Sequence, residues 1–445
     1  MEGIKKKKIK LSSFQIVILG FLGVILLGAL LLMMPFSSRE GVFTPFNETL
    51  FTATSAVCVT GLVVHDTATY WSTFGHILII ILIQIGGLGV VSVAVSFALM
   101  SGRKISLFQR GMLQDALAAS SVGGIVKLTG FLVKMTLLIE FIGALLMMPV
   151  FISDFGLKGI GIAMFHSISA FCNAGFDLMG TPDAQFSSLV SYRRNISVNI
   201  VLMLLIVIGG IGFRTWNDIR TYGIKFKRYS MQSKVILTTT LFLIFVPALL
   251  FFINDYSRLD LQERILASLF QSVTSRTAGF NTEDLNDLSE VSRAVFIVLM
   301  LIGGAPGSTA GGLKVTTFTV LLANSLAVFN QKADTEFFGR RINHDTIHHA
   351  STILVMYITL FFMSGLAISL IEGLPLYQCF FETASAVGTV GVTLGITPGL
   401  GVASQLILVV MMFLGRVGGL TVIYATFNHK APMVSKMPEE SITVG

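Results

Sequence analysis

The sequence predicts an all-α polytopic membrane protein of four pseudo-symmetric repeats around a single pore, and three observations carry that prediction. Of its 445 residues, 53% are hydrophobic and only 12% charged, whereas soluble domains carry about 25% charged residues; the mean hydropathy is +0.80. Eight apolar segments reach the ~20 residues that a bilayer-spanning helix needs. Four shorter apolar segments lie between them, each ending on a glycine. The composition excludes a soluble enzyme, a disulfide scaffold and a disordered chain. The 43 glycines and 10 prolines suit close helix packing and some non-helical backbone at membrane depth. Cys58, Cys172 and Cys379 are odd in number and lack metal-type spacing.

The expected spans are 14–36, 73–101, 129–153, 196–216, 233–254, 291–328, 349–371 and 402–428, the sixth broken in its middle. The first follows Lys5-Lys6-Lys7-Lys8 but exceeds a signal-peptide core and has no small-residue cleavage site after it, so it reads as a retained anchor. Eight spans put both termini on one side. That side, with the 102–128, 217–234 and 329–348 loops and the span-edge Lys134 and Arg214, holds 21 Lys and Arg; the other holds 8, with 15 Asp and Glu. Positive-inside asymmetry therefore places both termini in the cytoplasm. The +7 net charge has a topological cause, and no nucleic acid is needed to explain it. Lys225, Lys227 and Arg228 read as topology signals, or as contacts to anionic membrane lipids or an acidic partner.

The short segments are 46–60, 162–174, 265–278 and 375–390, too short to cross at 1.5 Å per residue. They end in Val59-Thr60-Gly61, Asn173-Ala174-Gly175, Thr277-Ala278-Gly279 and Thr389-Val390-Gly391, with glycine spacings of 114, 104 and 112 residues. An apolar residue lies ten positions before each glycine and another just after it. One such glycine alone reads as an ordinary helix cap. Four in register read as re-entrant half-helices followed by loops whose carbonyls face a common axis, where glycine permits the required backbone angles. A ring of backbone oxygens without an acidic ring suits a monovalent cation, potassium before sodium. The repeats are bounded at 13–101, 102–216, 217–328 and 329–428, with cytoplasmic tails 1–12 and 429–445.

The break in the sixth span reads Gly303-Gly304-Ala305-Pro306-Gly307-Ser308-Thr309-Ala310-Gly311-Gly312, then Leu313 and Lys314. Five glycines and a proline in ten residues do not hold a helix, each Gly costing about 1 kcal/mol and Pro about 3. At membrane depth such backbone must face water or protein. It is not a phosphate loop, because Leu313 separates Gly312 from Lys314, Val315 follows, and no strand precedes. A plain kinked helix is the simpler alternative. In the last span, Gly415-Arg416 stands where other repeats read Gly86-Gly87, Gly209-Gly210 and Gly303-Gly304. An intramembrane Arg costs at least about 2.5–3.5 kcal/mol, so Arg416 is a candidate functional residue, with bonds to helix-end or broken-loop carbonyls as a structural reading that does not exclude a functional one. Glu140 reads as a neutral or hydrogen-bonded group in a helix interface. Asp177 and Glu382 flank the loops, as cation-concentrating mouth charges or ordinary loop charges. Cys58 and Cys172 read as small packing residues, and His344, His348 and His349 as loop polar groups.

The fourfold span–loop–span set with single filter glycines, joined to the glycine-rich break, resembles the Trk/Ktr/HKT superfamily of potassium transporters over essentially the whole chain. Length, eight spans and short tails are most similar to the bacterial Ktr membrane subunits (KtrB). The resemblance implies that Gly303–Gly312 with Lys314 is an intramembrane gate loop, that Arg416 is a pore-facing cation, and that the chain works as a plasma-membrane homodimer. It also implies a cytoplasmic ring of KtrA-type regulatory subunits that binds ATP or ADP. This chain itself is expected to bind no cofactor; potassium is its substrate ion. A sodium-coupled secondary transporter of a monovalent cation is the alternative; the shared orientation of the repeats disfavours an inverted-repeat architecture and leaves sodium dependence of the uptake open. No paired acids, Ser/His arrangement or His-x-x-x-His helix lies within the spans, so an intramembrane enzyme is not expected.

Overall fold

The computed structural model describes residues 12–100, 105–116, 123–426 and 440. Lys5–Lys8, both expected tails apart from Ser12 and Glu440, and parts of the 102–128 loop and the 73–101 and 402–428 spans lie outside those residues. Helices begin where side chains satisfy their free amides: Ser12 and Gln15 form a reciprocal capping box, and Ser72, Asn195, Ser230 and Ser289 cap later helices. Four helices are long and apolar enough to cross a membrane alone: Ser13–Leu32, Ile125–Phe155, Met231–Asn254 and His344–Glu372. Each opens one expected repeat.

The second member of each repeat departs from expectation. The sequence marks a break only in the sixth span, but all four are interrupted. Thr73–Leu88 turns by 98° into the next helix at Gly89, and Ile196–Gly210 by 97° into Phe213–Tyr222 around Gly212. Val402–Val417 and Gly419–Thr426 are separated at Gly418, and Glu290–Leu301 and Val315–Phe329 by the glycine-rich stretch. Gly89, Gly212 and Gly418 hold φ of 83°, 85° and 86°, which no right-handed helix contains. A lone glycine costs a helix only about 1 kcal/mol, so composition does not mark these bends.

The four half-helices are Phe46–Val57, Lys158–Phe171, Leu261–Thr274 and Leu376–Gly388, of 12 to 14 residues. Their lengths, about 18–21 Å, fall short of the ~30 Å hydrocarbon core. The second and third start four residues earlier than expected, the second through the glycine-interrupted Lys158-Gly159-Ile160-Gly161 and the third through the mostly polar Leu261-Gln262-Glu263-Arg264. Each packs on the long helix before it. Each following helix packs on the next half-helix: Thr73–Leu88 on Lys158–Phe171, Ile196–Gly210 on Leu261–Thr274, and Glu290–Leu301 on Leu376–Gly388. Val402–Val417 returns to Phe46–Val57 and closes the circle. Inside it Phe51, Phe176, Phe280 and Phe381 are buried, while Leu27, Phe245, Leu249 and Leu370 face outward, as lipid-facing surfaces do. Among the described residues the strands are confined to a hairpin pairing Glu336–Phe337 with Arg340–Arg341.

Candidate functional site

The four glycine-ended loops meet. A side chain on Gly61 would press within 2.6 Å of the Ala174 carbonyl oxygen, one on Gly175 within 2.8 Å of that of Ala278, and one on Gly279 within 2.5 Å of that of Val390. Gly391 closes the set against the Thr60 carbonyl. Every glycine thus abuts the carbonyl of the residue preceding the next glycine, around a complete circuit. Gly61, Gly175, Gly279 and Gly391 all have φ between 69° and 95°. Two positions earlier, Val59, Asn173, Thr277 and Thr389 also hold positive φ, between 51° and 77°. For β-branched Val59, Thr277 and Thr389 this conformation is a genuine outlier, and strain repeated at one register in three of the four loops marks an over-determined site. Among the described residues, the carbonyls of Thr60, Ala174, Ala278 and Val390 accept no hydrogen bond.

Side chains brace this backbone. Ser55 Oγ accepts from Gly61 N–H at 3.0 Å and Ser385 Oγ from Gly391 N–H at 2.9 Å. Ser169 and Thr274 donate to the carbonyls of Phe176 and Phe280 at 2.7 and 2.6 Å. The sequence reading missed a second bracket. Nine residues before Gly391, Glu382 accepts from Leu394 N–H (3.2 Å), Thr397 (2.7 Å) and Thr393. Nine before Gly175, His166 donates through Nδ1 to Ile162 (2.8 Å) and accepts Leu178 N–H at Nε2 (3.4 Å). Leu178 and Leu394 each lie three after their glycine, so the two brackets are equivalent, and counting back from the glycines would have found them. Glu382 is fully buried; it is a loop brace and not a solvated mouth charge. Asp177 closes a local turn by accepting Met179 N–H at 3.0 Å. Glu382→Ala is expected to strand three donors and cost about 2–4 kcal/mol of stability, with Glu382→Gln milder; thermal unfolding in detergent checks the order.

The glycine-rich stretch forms a knot of backbone contacts beside these loops. Gly303 N–H donates to Leu313 O (2.7 Å), and Val315 N–H to Gly304 O (3.0 Å), pinching its two ends together. Ala305 N–H reaches Gly210 O (2.9 Å), Phe213 N–H reaches Gly307 O (2.8 Å), and Gly312 N–H reaches Gly415 O (3.1 Å). Thr309 donates to Phe171 O at 3.0 Å and accepts from Asn173 Nδ2 at 3.2 Å. A side chain on Gly311 would collide with Thr389. Lys314 folds back onto the carbonyls of Ala310 (2.8 Å) and Gly311 (3.2 Å). Arg416 bonds the carbonyls of Thr309, Gly86 and Gly87, the last at 3.1 Å, so its guanidinium satisfies broken-loop and helix-end carbonyls together. Beyond the stretch lies a cavity of about 150 Å3, bordered by Phe14, Phe21, Gly89, Ser308, Lys314 and Arg416.

Three of the four aligned glycines, Gly86, Gly209 and Gly415, now have a steric reason. They press against the carbonyls of Val57, Phe171 and Val387, each four residues before its loop glycine, and a Cβ would not fit. Glu140 lies in a helix interface as expected, accepting from Gln84 Nε2 at 3.3 Å. Cys58, Cys172 and Cys379 are buried and unbridged. Arg276, three before Gly279, was not singled out by the sequence, yet its Nε is buried without a hydrogen-bond partner among the described residues. It borders a cavity of about 20 Å3 with Gly210, Thr240 and Gly304, room for one water.

Comparison with known proteins places this geometry in a family. Residues 6–436 match the TrkH family, described as cation transport protein. The chain is 40% identical over 456 residues to the potassium/sodium uptake protein NtpJ of Enterococcus hirae, covering 99% of this chain and 100% of that one. It is 39% identical to the Ktr system potassium uptake protein B of Bacillus subtilis, over 95% of both chains. The crystal structure of the potassium transporter TrkH from Vibrio parahaemolyticus shares the fold, with a TM-score of 0.73 at 19% identity over 94% of this chain and 85% of that one. A near-complete match to the family and to full-length relatives leaves one assignment: the chain belongs to the TrkH family of cation transporters and is not an enzyme.

Proposed function

We propose that this protein takes up potassium across a bacterial plasma membrane through one pore enclosed by a single chain. Eight membrane crossings form four repeats, bounded as the sequence suggests at 13–101, 102–216, 217–328 and 329–428, with both termini cytoplasmic. Val59-Thr60-Gly61, Asn173-Ala174-Gly175, Thr277-Ala278-Gly279 and Thr389-Val390-Gly391 form the selectivity filter, whose carbonyls replace the ion's hydration shell. The observation that carries this reading is the closed circuit of four glycines, each against the free carbonyl before the next. Residues Gly303–Gly312 and Lys314 form the gate, held shut by Arg416. The names of the Bacillus subtilis and Enterococcus hirae relatives support potassium as cargo, and the latter names sodium uptake beside it.

By the same kinship, the chain works as a homodimer on a cytoplasmic KtrA-type ring, with ATP on the ring favouring flux and ADP opposing it. A nucleotide shifts the gate only through different affinities for its two states, and the Val315–Phe329 helix connects the gate loop to the cytoplasmic hairpin. The test is uptake of potassium, rubidium and sodium into proteoliposomes. Potassium and rubidium should exceed sodium, the chain alone should ignore both nucleotides, and added ring should confer the response. Equal sodium and potassium flux through folded protein would overturn the filter; an ATP response of the chain alone would overturn the regulatory scheme.

A further inference from the structure

We propose that residues 222–234, together with the hairpin at 338–340, form a binding site for the headgroup of an anionic phospholipid. Tyr222, Lys227, Arg228, Tyr229, Lys234 and Arg340 border an open cavity of about 380 Å3, with Phe338 on its rim. The walls come from two distant stretches of chain and are built. Lys234 Nζ donates to Lys227 O at 2.8 Å, fixing the turn, and Tyr229 donates to Gly223 O. The Phe226 ring lies 5.7 Å from Tyr229 and 6.5 Å from Phe338, edge-on to the latter, and Lys234 Nζ sits 5.9 Å from the Phe338 ring centre.

Among the described residues, the charge in this pocket has no carboxylate partner: none comes within ion-pair distance of Lys227, Arg228, Lys234 or Arg340. Of the neighbouring acids, Asp218 accepts from Ser230 N–H and Oγ at 2.9 and 2.7 Å, Asp334 pairs with Arg341 at 3.3 Å, and Glu336 sits exposed on the hairpin opposite Arg341. Four uncompensated cations in one concave site call for an anion.

Its position selects a lipid over a soluble anion. Met231–Asn254 has 24 residues, about 36 Å, so its first turn emerges at headgroup level of a ~30 Å hydrocarbon core. Beside the cations, Ile224 is 100% exposed, and Phe226, Tyr222 and Phe338 are also exposed. Aromatic rings and basic side chains together mark the membrane–water interface, and basic clusters there attract anionic headgroups. An apolar side chain projecting beside a basic pocket roomy enough for a phosphate-bearing headgroup fits a ligand with both a phosphate and acyl chains.

The full chain in detergent, titrated with phosphatidylglycerol and phosphatidylcholine and followed by native mass spectrometry, tests this. Phosphatidylglycerol should bind the more tightly. Lys227→Gln/Arg228→Gln/Arg340→Gln should weaken it about fivefold per cation removed, and Lys158→Gln/Arg258→Gln should leave it unchanged. Should the triple variant fold poorly, Arg340→Gln alone, on the hairpin, carries the same test at about fivefold. Inorganic phosphate should not compete. Equal affinity of variant and wild type would overturn the proposal, as would equal binding of both lipids or competition by phosphate at matched concentration. If the variant kept its lipid and lost only a regulatory subunit, the patch would be a protein-docking surface instead. Because no ion flux is read, failure here leaves the pore reading intact.

Discussion

Serine at Gly391 is expected to cut potassium-over-sodium preference at least about tenfold. The backbone there holds φ of 95°, a left-handed conformation that costs a side-chain-bearing residue about 1–2 kcal/mol. The new Cβ would also run into the Thr60 carbonyl, one of the four that accept no hydrogen bond. Relief requires that carbonyl to turn, and 1.4 kcal/mol of lost differential binding is already a tenfold change. Gly61, Gly175 and Gly279 face the same two penalties, so all four serine variants should fail alike. Potassium, rubidium and sodium fluxes measured on each variant decide it. Four variants with unchanged affinity and ion ranking would show that these loops do not select the ion.

Shortening the glycine-rich stretch by removing 307–310 should raise flux about tenfold in chain reconstituted alone. Arg416→Gln should do so more weakly, since it leaves the stretch itself in place. Hydrogen bonds to a charged donor contribute about 1.5–3 kcal/mol each, and Arg416 spends them on Thr309 of the stretch and on Gly86 and Gly87. On the proposed gate both changes act on one obstruction, so their combination should not exceed the deletion alone, a non-additivity expected of coupled sites. Unchanged flux in deletion variants that elute and melt normally would return the stretch to a plain kink in a helix.

Much of the membrane architecture is legible in the linear chain because it rests on constraints that act one residue or one segment at a time. Apolar length distinguishes the long helices from Phe46–Val57 and its three counterparts. Positive φ demands glycine at 61, 175, 279 and 391, and the cost of charge at membrane depth draws attention to Arg416. The density of Gly and Pro in 303–312 forbids a helix without reference to any neighbour.

Other features became visible only in three dimensions. The bends at Gly89, Gly212 and Gly418 hang on single glycines that a helix tolerates, so packing decides where it turns. Val59, Thr277 and Thr389 adopt backbone angles that local preference opposes, and surrounding contacts hold them there. His166 and Glu382 are an imidazole and a carboxylate with no shared motif, yet they brace equivalent amides. Arg416 meets Gly86 across 330 positions of chain. Spacing and composition report what each residue permits, whereas the partner of a buried donor is set by which distant backbone the closed ring brings within hydrogen-bond reach.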